Sequence, residues 1–191
     1  MSGQWPNPLD TAALDFVVSI RSDALTAVVR AITTVGNTLS LIVVATVGVA
    51  VLVRRGHREW AFLCGATSLI GWGLMAGIKE LFDRERPSIP PRLVEIGSAS
   101  FPSGHAMNSM VVFGCLAVAA AAITGRRWPI VCALIGSGLI GLSRVYLAAH
   151  WMTDVLAGWA AGALVVAAAL AIRRVRAARR GLPAGPPAAG R

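Results

Sequence analysis

The stretch FPSGHAMNSMVVFGCLAVAAAAIT, residues 101–124, decides the class of fold. Its Pro-Ser-Gly-His opening gives way to an apolar run that holds no Asp, Glu, Lys or Arg. About 20 consecutive apolar residues cross the hydrocarbon core of a bilayer as a helix, and a helix satisfies every backbone polar group within the segment. The span is read from Pro102 to Thr124, and four more apolar blocks accompany it: Thr38 to Val53, Trp60 to Leu81, Pro129 to Leu147 and Trp151 to Ile172. Hydrophobic residues make up 55% of the 191-residue chain against 14% charged, far from the balance of a soluble domain. The expected fold is all-α: a polytopic membrane helical bundle of five or six transmembrane helices, forming a single domain over residues 1–176.

Two segments are less regular. The block 38–53 is short and reaches spanning length if Gly36 and Asn37 extend it or the bilayer thins around it. From Leu9 to Val35, the residues Asp10, Asp15, Arg21, Asp23 and Arg30 break the apolar pattern at roughly helical intervals. That segment, 9–35, reads as an amphipathic interfacial helix or as a first span packed against the others. The end of the chain, Gly181 to Arg191, is rich in Gly, Pro and Ala without periodicity, so residues 177–191 read as a disordered cytoplasmic tail.

A net charge of +9 would point toward nucleic acid in a soluble protein, but here the positions of the charges describe topology. Arg54, Arg55 and Arg58 lie between two blocks, Arg126 and Arg127 between two others, and Arg173, Arg174, Arg176, Arg179 and Arg180 follow the last. If the blocks span, these clusters share one side, which the positive-inside rule makes the cytoplasm. The loop Phe82 to Phe101 balances Asp83, Glu85 and Glu95 against Arg84, Arg86 and Arg92, and faces outward. The expectation is a multi-pass protein of the cell (inner, cytoplasmic) membrane, with a cytoplasmic C-terminus, the lipid bilayer as its surroundings and no nucleic-acid partner. Cys64, Cys115 and Cys132 stand singly inside apolar blocks and read as small packed hydrophobes rather than zinc ligands. The N-terminus lacks the pattern of a cleaved signal peptide.

Ionisable residues at span ends are costly enough that their positions carry information. Lys79 and Arg86 end the Trp60 block, His105 opens the Pro102 block, Arg144 closes the Pro129 block, and His150 with Asp154 opens the last. With alternating helix direction all of them meet on the extracytoplasmic face, ringing one pocket. Pro87 disfavours helix at Arg86. Seven residues are about two helical turns, so Lys79 and Arg86 share a face and can both reach a phosphate, or else snorkel to the interface. Ser103 and Gly104 at a helix start leave free backbone N–H groups, an anion site with His105 one side chain away; the Ser hydroxyl either caps the helix or donates to the anion. His150 and Asp154, spaced i and i+4, face the same way on a helix, where the carboxylate fixes the imidazole tautomer or forms a structural pair.

Together these stretches resemble the signature of the type 2 phosphatidic acid phosphatase superfamily: Lys79-x6-Arg86-Pro87, then Pro102-Ser-Gly-His105, then Ser143-Arg144-x5-His150-x3-Asp154. The resemblance covers about Leu9 to Ile172. It implies a six-helix bundle and a membrane lipid phosphatase, with His150 as the nucleophile that forms a phosphohistidine. Asp154 would orient His150, and His105 would serve as acid and then base. Lys79, Arg86 and Arg144, with Ser103 and the Gly104 amide, would hold the phosphoryl oxygens. No metal or other cofactor is implied, because side chains supply the cations.

The substrate classes implied are a phospholipid or polyprenyl diphosphate: polyprenyl diphosphate, phosphatidic acid or phosphatidylglycerol phosphate. Transfer of the phosphoryl group to a lipid or sugar hydroxyl would use the same phosphohistidine. A non-enzymatic anion transporter would need the ring of cations but neither histidine. The irregular loop Ser88 to Ser100, with Pro90, Pro91, Arg92 and Glu95, is the candidate for headgroup contacts.

Overall fold

A computed structural model describes residues 6–88, 90–94 and 97–179. Among these the chain forms seven helices and no strand: α1 (Pro8–Ser19), α2 (Asp23–Val35), α3 (Thr38–Arg54), α4 (Arg58–Leu81), α5 (Gly104–Thr124), α6 (Trp128–Tyr146) and α7 (Met152–Arg179). Four of them, α4 to α7, are long and apolar enough to cross a membrane. At 17 residues α3 falls short alone; with α2, bent from it by 52°, it passes the same length and composition test as a pair, in the form of a broken span or a re-entrant loop.

The segment 9–35 is two helices rather than one. Three side chains set the breaks by accepting from the backbone of the turn that follows: Asn7 from Asp10 N–H, Ser22 from Leu25 N–H, and Asn37 from Ser40 N–H. Each satisfies a donor that an helix start leaves open. The 12 and 13 residues of α1 and α2 are too few to span alone. At the other end α7 continues past Ile172 to Arg179, so the expected tail begins inside the helix, and its residues 180–191 lie outside those described.

Helix α5 is the centre of the bundle and packs against α3, α4, α6 and α7. Its contact with α7 is backbone to backbone. A Cβ added at Gly158 would stand 2.7 Å from the Ser103 carbonyl oxygen, and one at Gly162 would stand 2.7 Å from that of Met107. Small residues four apart let two helices approach this closely in a membrane, where packing rather than water exclusion drives association.

The arginine clusters gather at one end. Leu52 of α3, Trp60 of α4 and Cys115 and Ala119 of α5 form a buried cluster there, with Leu170 of α7 packed on it. The Arg173 guanidinium lies 4.1 Å from the centroid of the Trp60 ring, joining α7 to α4. Large apolar side chains such as Phe62, Leu69, Leu134 and Leu164 point outward, as lipid-facing surfaces require.

Candidate functional site

The opposite end of the bundle carries the polar residues. Helix α6 finishes there in a Schellman turn. Ala149 N–H donates to Arg144 C=O and Ala148 N–H to Val145 C=O, both at 2.9 Å, with Ala148 in the left-handed region at φ +52°. Glycine is usual at that position, and a side chain there costs about 1–2 kcal/mol. Leu147, Ala148 and Ala149 are fully buried, so packing holds the turn in place. The turn delivers His150 into the site, 2% exposed and ahead of α7. His150 and Asp154 therefore do not sit on one helix; the turn, not helical spacing, brings them together.

His150 Nδ1 lies 3.6 Å from Asp154 Oδ2, longer than a hydrogen bond. On its other side, Nε2 is 3.0 Å from Arg86 Nη1. A guanidinium only donates, so Nε2 is the acceptor with its lone pair toward Arg86, and the ring proton sits on Nδ1, toward Asp154. Burial, with Arg86 and Arg144 nearby, pushes the imidazole down to about 4 despite the opposing carboxylate of Asp154. His150 is neutral at pH 7.

Asp154 stands in the first turn of α7, and Oδ2 accepts from Trp151 N–H at 2.9 Å, half of a capping box. The same oxygen accepts from Ser100 Oγ, and Oδ1 from Arg84 Nη1. The backbone oxygen of Asp154 accepts from Ser103 N–H at 3.0 Å, tying the start of α5 to α7.

Helix α4 stops at Leu81, and Phe82 is already extended, so Arg86 arrives on a loop and not two helical turns beyond Lys79. The two cations still converge. Lys79 Nζ donates to Ser98 Oγ at 2.9 Å, and Arg86 Nη2 to the same atom at 3.2 Å. Arg86 uses its whole fork: Nε to Ser98 C=O, Nη1 to Ala149 C=O and His150, Nη2 to Ala99 C=O and Ser98 Oγ. Burial brings its guanidinium down to about 10, so it stays charged at neutral pH.

Arg144 is buried, with Nη1 donating to Thr33 Oγ1 of α2 at 2.8 Å. Its Nε has no partner among the described residues, and neither has Ser103 Oγ, which is fully buried and does not cap α5. Both are donors left open, as is the Nδ1 of His150. His105 lies in the first turn of α5 beside Gly36, where an added Cβ would be 3.0 Å from the imidazole. A cleft of about 820 Å3 adjoins the site through Arg84 and Arg86; Leu14, Phe82, Phe101 and Trp151 also line it, and neither His105 nor His150 does.

Five members of the site carried no motif signal in the sequence. Arg84 pairs with Asp10 at 2.6 Å and with Asp154; Thr33 meets Arg144; Ser98 and Ser100 hold the cations and the carboxylate. Asp10 and Thr33 come from α1 and α2, far from the motifs along the chain. Asp10 looked like one of several charges on an amphipathic helix, and Arg84 like part of a neutral loop. Of the loop read as the headgroup contact, Ile89, Glu95 and Ile96 lie outside the described residues.

Residues 60–178 match the family model described as the PAP2 superfamily. Phosphatidylglycerophosphatase B of Bacillus subtilis is 33% identical over 166 residues, which cover 82% of this chain and 79% of the relative. Decaprenylphosphoryl-5-phosphoribose phosphatase of Mycobacterium tuberculosis is 32% identical over 127 residues, 65% of this chain and 66% of that one. Among solved structures, the crystal structure of a transmembrane PAP2-type phosphatidylglycerolphosphate phosphatase from Bacillus subtilis superposes with a TM-score of 0.79 at 29% identity. It covers 86% of this chain and 84% of its own.

Proposed function

This chain belongs to the PAP2 superfamily, and on that ground we propose that it hydrolyses a lipid phosphate or diphosphate at the membrane surface through a phosphohistidine on His150. The observation that carries the reading is the contact between Arg86 and His150 Nε2. It aims the lone pair of a neutral, buried imidazole at a cation, the place where an anionic phosphoryl group would lie. An incoming phosphoryl oxygen takes over the Nη1 hydrogen, which frees the lone pair for in-line attack on phosphorus. Lys79, Arg86 and Arg144, with Ser103 Oγ and the Gly104 N–H at the start of α5, hold the equatorial oxygens. Fixed donors of this kind are typically worth about 10²–10³ in rate each.

As the Nε2–P bond forms, the imidazole becomes cationic, and Asp154 on the Nδ1 side offsets that charge. His105 protonates the departing oxygen and then takes a proton from the water that cleaves the phosphohistidine, returning His150 to its neutral form. The three cationic side chains fill the part that a divalent ion plays in other phosphoryl transfers, so the reaction needs no metal. The arginine clusters at the far end of the bundle favour an extracytoplasmic site and a cytoplasmic C-terminus. An outward site favours a polyprenyl diphosphate over phosphatidic acid and phosphatidylglycerol phosphate; a panel of the three at matched surface concentration identifies the substrate.

The test of the nucleophile is His150→Ala in detergent. Phosphate release is abolished while the protein stays folded, and near-normal turnover would sink the assignment. The wild type keeps its activity in excess EDTA; complete loss on chelation would argue for a metal enzyme.

A further inference from the structure

Asp10 is fully buried, on a short helix that precedes the stretch matched by the family model. A carboxylate is costly to bury without a partner, and Asp10 has two. Oδ2 accepts from Arg84 Nη2 at 2.6 Å, while Oδ1 accepts from Thr153 N–H at 2.9 Å and Thr153 Oγ1 at 2.8 Å. The other arm of the guanidinium, Nη1, donates to Asp154 Oδ1 and, at 2.8 Å, to Thr153 Oγ1. Asp154 then presents Oδ2 toward His150 Nδ1 at 3.6 Å. The result is a buried chain from α1 to the imidazole: carboxylate, guanidinium, carboxylate, histidine.

Its charge count has a consequence. Two carboxylates share one guanidinium, so Arg84 offsets Asp154 only in part, and the Asp154 carboxylate keeps negative charge on the Nδ1 side of the imidazole, opposite Arg86 on the Nε2 side. We infer that Asp10 is a positioning residue for the His150–Asp154 pair, acting through Arg84 and Thr153; the inference rests on the reading of His150 as nucleophile. By occupying one arm of Arg84, Asp10 keeps the Asp154 carboxylate available to the imidazolium that forms when His150 is phosphorylated. Through Thr153 it also fixes the first turn of α7, which carries Asp154. It touches none of the groups that would hold phosphate.

The experiment is phosphate release by purified Asp10→Asn, which keeps the shape of the side chain and removes its charge. The expected result is a fall in kcat of about tenfold or more, the size of effect that outer-sphere partners commonly have, with KM for the lipid little changed. Thr153→Val lowers kcat in the same way, and Thr153→Ser, which keeps the hydroxyl, restores it. A kcat for Asp10→Asn within about twofold of wild type, or a loss seen in KM alone, would overturn the inference. So would a Thr153→Ser variant no better than Thr153→Val, and that pair decides the matter if Asp10→Asn does not fold. His150→Ala is assayed alongside. If it is active, the nucleophile reading fails; if it is dead while Asp10→Asn is fully active, only the role of Asp10 fails.

Discussion

Replacing Gly158 by Ala tests whether the close approach of α5 and α7 sets the geometry of the site. The new Cβ would stand 2.7 Å from the Ser103 carbonyl oxygen, 3.1 Å from Ala106 Cβ and 3.2 Å from Met107 N, where ordinary contact begins at 3.4 Å. Two of these three atoms are backbone, so no side chain can swing aside. The helices must part locally by about 0.7 Å, the shortfall against that contact distance. That displacement falls between Ser103 and Asp154, whose backbones are hydrogen-bonded at 3.0 Å. A misplacement of about 1 Å can cost about 10²-fold in rate, so kcat is expected to fall by about 10- to 100-fold. Overpacking costs about 1–3 kcal/mol, which a multi-span bundle survives. Gly73→Ala is the control: a Cβ there meets nothing within 4 Å, and alanine gains up to about 1 kcal/mol of helix propensity. Phosphate release and thermal unfolding in detergent are measured on both. Wild-type kcat in a folded Gly158→Ala would refute the reasoning.

Two further outcomes follow from the site and the topology. His150 titrates near 4 in the folded protein against about 6.5 when unfolded, so between those values the unfolded chain takes up a proton that the folded chain refuses. Stability of the wild type relative to His150→Gln therefore falls as the pH is lowered from about 6.5 toward 4 in detergent melts, and a flat difference would count against a buried neutral imidazole. For orientation, a cysteine placed at exposed Ser88, in a background lacking the three native cysteines, reacts with an impermeant maleimide on intact cells. Protection there reverses the assignment of the site to the outer face.

Hydrophobic blocks made the membrane bundle legible from the sequence, since any helix in lipid must be apolar along its length. The spans at α4, α5, α6 and α7 lie close to the predicted blocks for that reason. The split of 9–35 into α1 and α2 was harder to see. It turns on one N-cap serine, Ser22, and on charges that looked like an amphipathic face. The expected pairing of His150 with Asp154 is there at 3.6 Å, but the helical spacing invoked for it is not; an alanine in a position that glycine usually fills hid the turn.

What the sequence determined by itself is the set of local patterns: which segments are apolar enough to cross a bilayer, and that Lys79, Arg86, Ser103, His105, Arg144, His150 and Asp154 stand at or beside their ends. Only the tertiary structure decided how those ends are wired. Arg86 spends all its donors on the loop, the Ala149 carbonyl and His150; Ser103 Oγ and Arg144 Nε are left open, and Arg84 joins Asp154 to Asp10. Hydropathy and spacing are sums over neighbours along the chain. The contact of Asp10 with Thr153 joins residues 143 apart, and it exists only because α1 packs against α6 and α7.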